Sequence, residues 1–166
     1  NVPHLVTALA KMRAGGRFPH RLVIVGLNTT QIDIPAMARE LGIAEEVKYY
    51  PYVADEDLAL LYSAAEAFVL PYSYESVAAL TLLEAQAAGT PVITADTVGL
   101  RQAAGDAALF VDDVEPDSLA SAMSRIANQM ALRSDLLEWG KVNARRFSWQ
   151  RTSSQVLDIC REAGSA

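Results

Sequence analysis

Residues 67–94 read AFVLPYSYESVAALTLLEAQAAGTPVIT. A short apolar run, Ala67-Phe-Val-Leu70, leads into a polar loop, then a helical segment that stops at Gly89, then a second apolar run, Pro91-Val-Ile-Thr94. Neither run alternates polar with apolar residues, which is the pattern of strands buried on both faces. The same alternation continues outward. Arg21-Leu-Val-Ile-Val25 and Glu46-Val-Lys-Tyr-Tyr50 precede this stretch, and Ala108-Leu-Phe-Val111 follows it. Between the runs, Leu58, Leu61, Tyr62 and Ala65 fall at i, i+3, i+4 and i+7, one stripe of an amphipathic helix. Strands separated by crossover helices form a parallel sheet, so the class is α/β with an open, doubly wound sheet.

The chain ends differently. Leu119, Met123, Ile126 and Met130 make a helical stripe, opened by Pro116 at a first-turn position with Asp117 beside it. Trp149, Ser153, Val156 and Cys160 make another. Residues 115–163 therefore read as two or three extra C-terminal helices, expected to cover the sheet or to pack against a neighbouring domain.

The chain has 166 residues, 51% of them hydrophobic and 20% charged, enough for one globular domain with a real core. That excludes a disordered tail and a disulfide-stapled miniprotein. Fourteen basic residues against 20 acidic ones give a net charge of −6, and no basic stripe is visible, so nucleic acid is not an expected partner. The single cysteine, Cys160, cannot form an internal disulfide or a metal cluster. No apolar run is long enough to cross a bilayer. The first residue is Asn1, not Met, without a signal-peptide pattern, and a piece of a longer chain is expected.

In an open parallel sheet, ligands bind where strands end and helices begin, facing helix N-termini. The first such loop starts at Gly26, where a tight turn and a close ligand approach are permitted. It is neither a dinucleotide fingerprint nor a P-loop, and an ordinary strand-to-helix turn fits equally well. The third loop carries Glu75 just past its strand, then the small residues Ser76 to Ala79, then a helix with Glu84. Glu84 follows Leu80 by four residues and precedes Ala87 by three, so it shares their apolar face. It either sits at the helix edge and caps a backbone group, or joins Glu75 in accepting hydrogen bonds from ligand hydroxyls.

At this segment the chain resembles the retaining GT-B glycosyltransferases of the group 1, or family 4, type. Glu84-Ala-Gln-Ala-Ala-Gly-Thr-Pro-Val-Ile93 is similar to the second half of their signature, and Pro71-Tyr-Ser-Tyr-Glu75 to the start of it. Leu22-Val-Ile-Val-Gly26, residues 47–53, Gly105-Asp-Ala-Ala-Leu-Phe-Val111 and Phe147-Ser-Trp149 resemble further family segments in the same order. The likeness runs from about residue 4 to 163.

The resemblance implies one Rossmann-like half of a GT-B fold. Residues 1–166 would form the C-terminal domain that binds a nucleotide-sugar, with the N-terminal acceptor domain absent. It implies that Glu75 contacts the sugar near the reacting carbon, as the catalytic residue, and that Glu84 holds the ribose hydroxyls. Ser76, Val77, Ala78, Ala79 and Leu80 would line the diphosphate or sugar with their N–H groups, while Tyr50, Pro51 and Tyr52 would pass the base. No metal or other cofactor is implied. The expected setting is cytoplasmic, with any membrane contact made through the acceptor half.

The chain departs from the family at several points. Eight residues separate Glu75 from Glu84 where the family has seven, so counting seven back from Glu84 reaches Ser76. Ser76 and Ala78 replace two loop glycines, and alanine tolerates positive φ badly. Pro51 replaces a glycine, and Gln102 stands where an acidic residue usually follows the fourth strand. Lys11 and Arg13 lie inside a helix and do not match the family's diphosphate-binding cations. A non-catalytic binding or assembly domain of the same fold is the alternative, ahead of an epimerase or phosphorylase. A phospho-receiver is excluded because Leu70-Pro71 closes the third strand where an Asp is required. Of the remaining residues, Tyr72 and Tyr74 are candidates for stacking on a base or sugar. Trp139 and Trp149 are expected to pack in the tail, Cys160 in the core, and His4 and His20 to be structural or solvent-facing.

Overall fold

A computed structural model describes residues 1–16, 18–27, 32–72 and 79–164. Five strands alternate with helices among them: α1 (Val2–Ala14), β1 (Leu22–Val25), α2 (Ile34–Glu40), β2 (Val47–Tyr50), α3 (Asp55–Ala64), β3 (Phe68–Leu70), α4 (Ala79–Ala88), β4 (Val92–Ala95), α5 (Val98–Ala104) and β5 (Leu109–Val111). Three helices close the chain: α6 (Pro116–Asn128), α7 (Met130–Ala144) and α8 (Trp149–Gly164). Every predicted strand is present, shifted by about one residue at its start.

All strand pairs are parallel. Their hydrogen bonds fall into two ladders, β1-β2 and β3-β4-β5, and among the described residues no ladder joins them into the single sheet that the alternation predicts. The two ladders have their own cores. The larger cluster packs Leu70, Val92, Ile93, Leu109 and Val111 of the strands against Leu82 and Ala85 of α4, Leu100 of α5 and Leu119 and Ile126 of α6. The smaller one gathers Val6 and Leu9 of α1, Ile34 and Ala38 of α2, Ile43 and Val47. Leu22 borders both.

Burial on both faces holds for β4, where all four residues are buried. Covering a side chain the size of Ile93 stabilises the fold by roughly 1.5–3 kcal/mol. It fails for β1. Leu22 and Ile24 face the small core, while Val23 and Val25 remain 45% and 38% exposed. A continuous apolar run cannot distinguish a strand covered twice from one covered once.

One polar contact organises the larger core. Gln86, on α4, and Asn143, on α7, are both buried. The Asn143 amide donates to Gln86 Oε1 at 2.7 Å and to the Ala103 carbonyl at 2.7 Å, and Gln86 Nε2 donates to the Ala107 carbonyl at 2.9 Å. Gly140 lets the two helices meet there, since a Cβ on it would lie 3.2 Å from Gln86 Cγ. Helix α4 ends where Gly89 turns into the left-handed region (φ 81°), and the Thr90 N–H bonds back to the Ala85 carbonyl.

The tail corrects several expectations. Helices α6 and α7 cover the domain, with Leu119, Ala122, Ile126 and Leu136 buried. Met130 does not complete the α6 stripe, because α6 stops at Asn128 and Met130 opens α7 exposed. Ala65 is likewise exposed, just past the end of α3. Helix α8 buries no residue at all. Cys160 is exposed rather than core, and Trp149 and Trp139 are exposed rather than packed. Amphipathic spacing reports that a helix has an apolar face, not that something within the same 166 residues covers it.

Replacing Asn143 by Ala strands the Gln86 carbonyl oxygen in a dry interior, and should lower stability by about 1–3 kcal/mol in urea unfolding; an unchanged midpoint would contradict the network. Cys160 should react with a thiol reagent in the folded chain as fast as a free thiol, whereas reaction only after denaturation would place it in a core.

Candidate functional site

The faces of α4 set the chemistry. Leu82, Ala85 and Gln86 point inward and are buried, while Leu80 is 54% exposed and Glu84 and Ala87 are exposed. The face shared by Leu80, Glu84 and Ala87 is the open one, so the buried apolar surroundings expected for Glu84 are absent. The helix is the next element after β3, reached through residues 71–78, and in a parallel fold the strand-to-helix connections are where ligands bind.

Glu84 is not capping a backbone group in the described structure. Its Oε2 accepts a hydrogen bond of 3.1 Å from the Tyr62 hydroxyl on α3. Tyr62 is only 9% exposed, and its ring meets Phe68 of β3 edge-on, centroids 5.4 Å apart at 79°. Burial, with the adjacent Glu84 charge and hydrogen bond, raises the phenol well above the ordinary tyrosine range. The hydroxyl therefore stays protonated and acts as a donor. The helical spacing singled out Tyr62 only as one member of an apolar stripe. A tyrosine in that stripe carries its own signal, because a buried phenol needs a partner for its hydroxyl.

Gly26, Tyr50 and Pro51 come together at the carboxyl ends of β1 and β2, where Val25 is in register with Tyr50. The Gly26 N–H donates to the Tyr50 carbonyl at 3.0 Å, and the Tyr49 hydroxyl donates to the Gly26 carbonyl at 3.0 Å. Gly26 has φ 128°, a conformation that favours glycine, and the space a Cβ would enter is empty. Tyr50 and Tyr52 are 47% and 77% exposed, and Leu27 beside Gly26 is 81% exposed. These groups form an aromatic and apolar rim suited to a flat, partly apolar ligand.

At the carboxyl end of β4, the Arg101 guanidinium binds Asp96 through both of its oxygens and lies over the Phe110 ring, 4.3 Å from the centroid. The Arg101 hydrogen bond holds the Asp96 carboxyl below its ordinary range. No sequence motif indicated this trio, although its members lie within fifteen residues of one another. Gln102, at the position of the family's acidic residue, is exposed.

Glu75, Ser76, Val77 and Ala78 lie outside the described residues, as does Tyr74; Ala79 is described in its backbone alone. Tyr72 is half-buried and packs against the larger core, so it is not an open stacking platform. His4 contacts the Val114 carbonyl at 3.0 Å, and His20 packs edge-on against Phe18, a structural role for each. Among the described residues no three His, Cys, Asp or Glu side chains gather as a metal site, and no helix is long and apolar enough to cross a membrane. A cavity of about 370 Å³ lined by Ser63, Glu66, Gly89 and Arg133 sits at the opposite, amino-terminal ends of β3 and β4 and includes none of the predicted site residues.

Comparison with known proteins matches residues 1–142 to the model of the family described as glycosyl transferases group 1. The D-inositol 3-phosphate glycosyltransferase of Saccharomonospora viridis is 39% identical over 132 residues, covering 78% of this chain and 30% of that protein. The chain spans about a third of the length of such curated relatives. Among solved structures, a sucrose-phosphate synthase from Thermosynechococcus elongatus superposes with a TM-score of 0.81 at 26% identity, over 99% of this chain and 43% of the other. Alr3699/HepE from Anabaena, solved with UDP and glucose, shares the fold with a TM-score of 0.80 at 16% identity, over 95% of this chain and 43% of that one.

The Tyr62–Glu84 contact is open to titration. Tyr62 should remain protonated in the folded chain as pH rises past the ordinary tyrosine value of about 10, and the stability it contributes, complete below that value, should be lost progressively between it and the raised folded value. In Glu84→Gln, phenolate absorbance should show Tyr62 ionising at lower pH than in the parent chain, with burial keeping it above the ordinary value. An identical titration in both proteins would contradict the contact.

Proposed function

The chain belongs to the glycosyl transferases group 1 family, and from that premise we propose that it is the C-terminal, nucleotide-sugar-binding domain of a retaining glycosyltransferase. The observation that carries this reading is Glu84, held by Tyr62 on the open face of the helix that follows parallel strand β3. A carboxylate there accepts two hydrogen bonds from neighbouring hydroxyls, the demand set by a ribose. The first-turn N–H groups of α4 suit an anionic diphosphate, and the Gly26, Tyr50 and Tyr52 rim suits a base. The donor class is the one the Anabaena neighbour holds, a nucleoside diphosphate with a sugar.

In the whole enzyme the sugar would pass from the diphosphate to an acceptor hydroxyl with retention. Its transition state would resemble an oxocarbenium ion, with Glu75 at the sugar and the leaving diphosphate stabilised by fixed backbone donors. The acceptor site belongs to a further domain, for which relatives about three times as long leave room. Helix α8, with Val156, Leu157 and Ile159 all more than half exposed, suits packing against such a domain. The alternative, a non-catalytic domain of this fold, draws on Ser76 and Ala78 at the positions of two loop glycines.

Calorimetric titration with UDP, GDP, ADP and their sugar conjugates should find one nucleotide that binds. Glu84→Ala should weaken it by about tenfold or more, the loss of hydrogen bonds to a charged group. Wild-type affinity in that variant would contradict the ribose role. A chelator should leave the binding unchanged; a requirement for a divalent ion would contradict a diphosphate held by backbone donors. The 166 residues alone should transfer no sugar, and turnover by them would show that the acceptor site lies within this chain.

A further inference from the structure

We propose that Tyr62 is a positioning residue for donor binding, its hydroxyl fixing one oxygen of the Glu84 carboxylate so that the other is presented to the ribose hydroxyls. The inference rests on the reading of Glu84 as the ribose-binding carboxylate, and adds the group that makes it selective for a ribose.

A glutamate on an exposed helix face samples many rotamers, and ordering it on binding costs affinity. Glu84 is exposed, and the contact with Tyr62 restrains it. Tyr62 is suited to that task because it is itself held. Its ring is buried against Phe68 of β3. Its carbonyl accepts the Thr90 hydroxyl, from the residue after the Gly89 turn that ends α4. Tyr62 thus meets the α4 segment twice, through the hydroxyl at Glu84 and through the backbone at Thr90. A shift of α3 relative to α4 would break both. The phenol is a donor with two side-chain torsions, neither free to turn in its packing. It supplies the orienting function that a more distant hydrogen-bond partner gives to a ligand-binding carboxylate.

A hydroxyl that merely satisfied itself on Glu84 would leave nucleotide binding untouched, so the two roles separate in solution. The test is calorimetry on the wild-type chain, Tyr62→Phe, Glu84→Ala and the double variant. Each is titrated with UDP, GDP and ADP and with the 2′,3′-dideoxy counterpart of the nucleotide that binds. Tyr62→Phe keeps the ring packing and removes only the donor. It should weaken the ribonucleotide by about tenfold, the weight of one hydrogen bond to a charged group. It should leave the dideoxy nucleotide at its wild-type affinity, and should add nothing in the Glu84→Ala background. Retained dideoxy binding also establishes that the variant is folded. Wild-type ribonucleotide affinity in Tyr62→Phe, alongside weakened Glu84→Ala, would overturn the inference and leave Glu84 as the ribose ligand. Equal weakening of both nucleotides by Tyr62→Phe would overturn it in favour of a structural role. Full affinity in Glu84→Ala, or no binding by the wild type, would remove the reading of Glu84 itself, and the inference with it.

Discussion

Gln86 and Asn143 share a hydrogen bond of 2.7 Å in the dry interior between α4 and α7, and each also bonds a backbone carbonyl near α5, at Ala107 and Ala103. Amides buried this deeply must be paired, and the pairing has one geometry. It sets the rotation of α4 about its own axis. With Gln86 locked inward and Gly140 admitting it closely, Leu82 and Ala85 meet the core and Leu80, Glu84 and Ala87 are left on the outer side. The open carboxylate is thus a consequence of a closed amide two residues away.

That division leaves one short helix able to serve packing on one side and, on the proposed reading, recognition on the other. On its inner side α4 contacts fully buried Val92 and Ile93 of the central strand and the helices behind it. On its outer side it carries Glu84, braced by a tyrosine that is itself part of the core. The rigid element supports the site, and the site places no buried charge in the element. Beside it, the β1-β2 ladder carries Gly26 and the exposed tyrosines at its own carboxyl ends, with a separate small core beneath. On the proposed reading, the two ladders with their two cores would support the two ends of an extended donor.

The order of strands and helices was readable because apolar runs and their spacing are local properties. Gly105, Pro116 and the Glu84-to-Ile93 motif were readable for the same reason. What escaped depends on distance in the chain. Nothing near residue 62 announces Glu84, and nothing near residue 86 announces Asn143, although both pairs are decided by side-chain chemistry once the helices meet. Exposure escaped for a second reason. The continuous apolar run of β1 was read as buried on both faces and the spacing of α8 as an apolar stripe, yet Val25, Val156 and Cys160 are exposed because burial requires a neighbour, and a pattern does not contain one. Glu84 illustrates both limits: its spacing to Leu80 and Ala87 was right, and the side of the helix that they occupy was not the core.

The most direct test of the account is a crystal structure of this chain with the nucleoside diphosphate it binds. The account predicts ribose hydroxyls within hydrogen-bond distance of Glu84, the Tyr62 hydroxyl still on the other carboxylate oxygen, and the base along the Gly26, Tyr50 and Tyr52 rim. A nucleotide bound elsewhere, or a ribose that leaves Glu84 untouched, would contradict it.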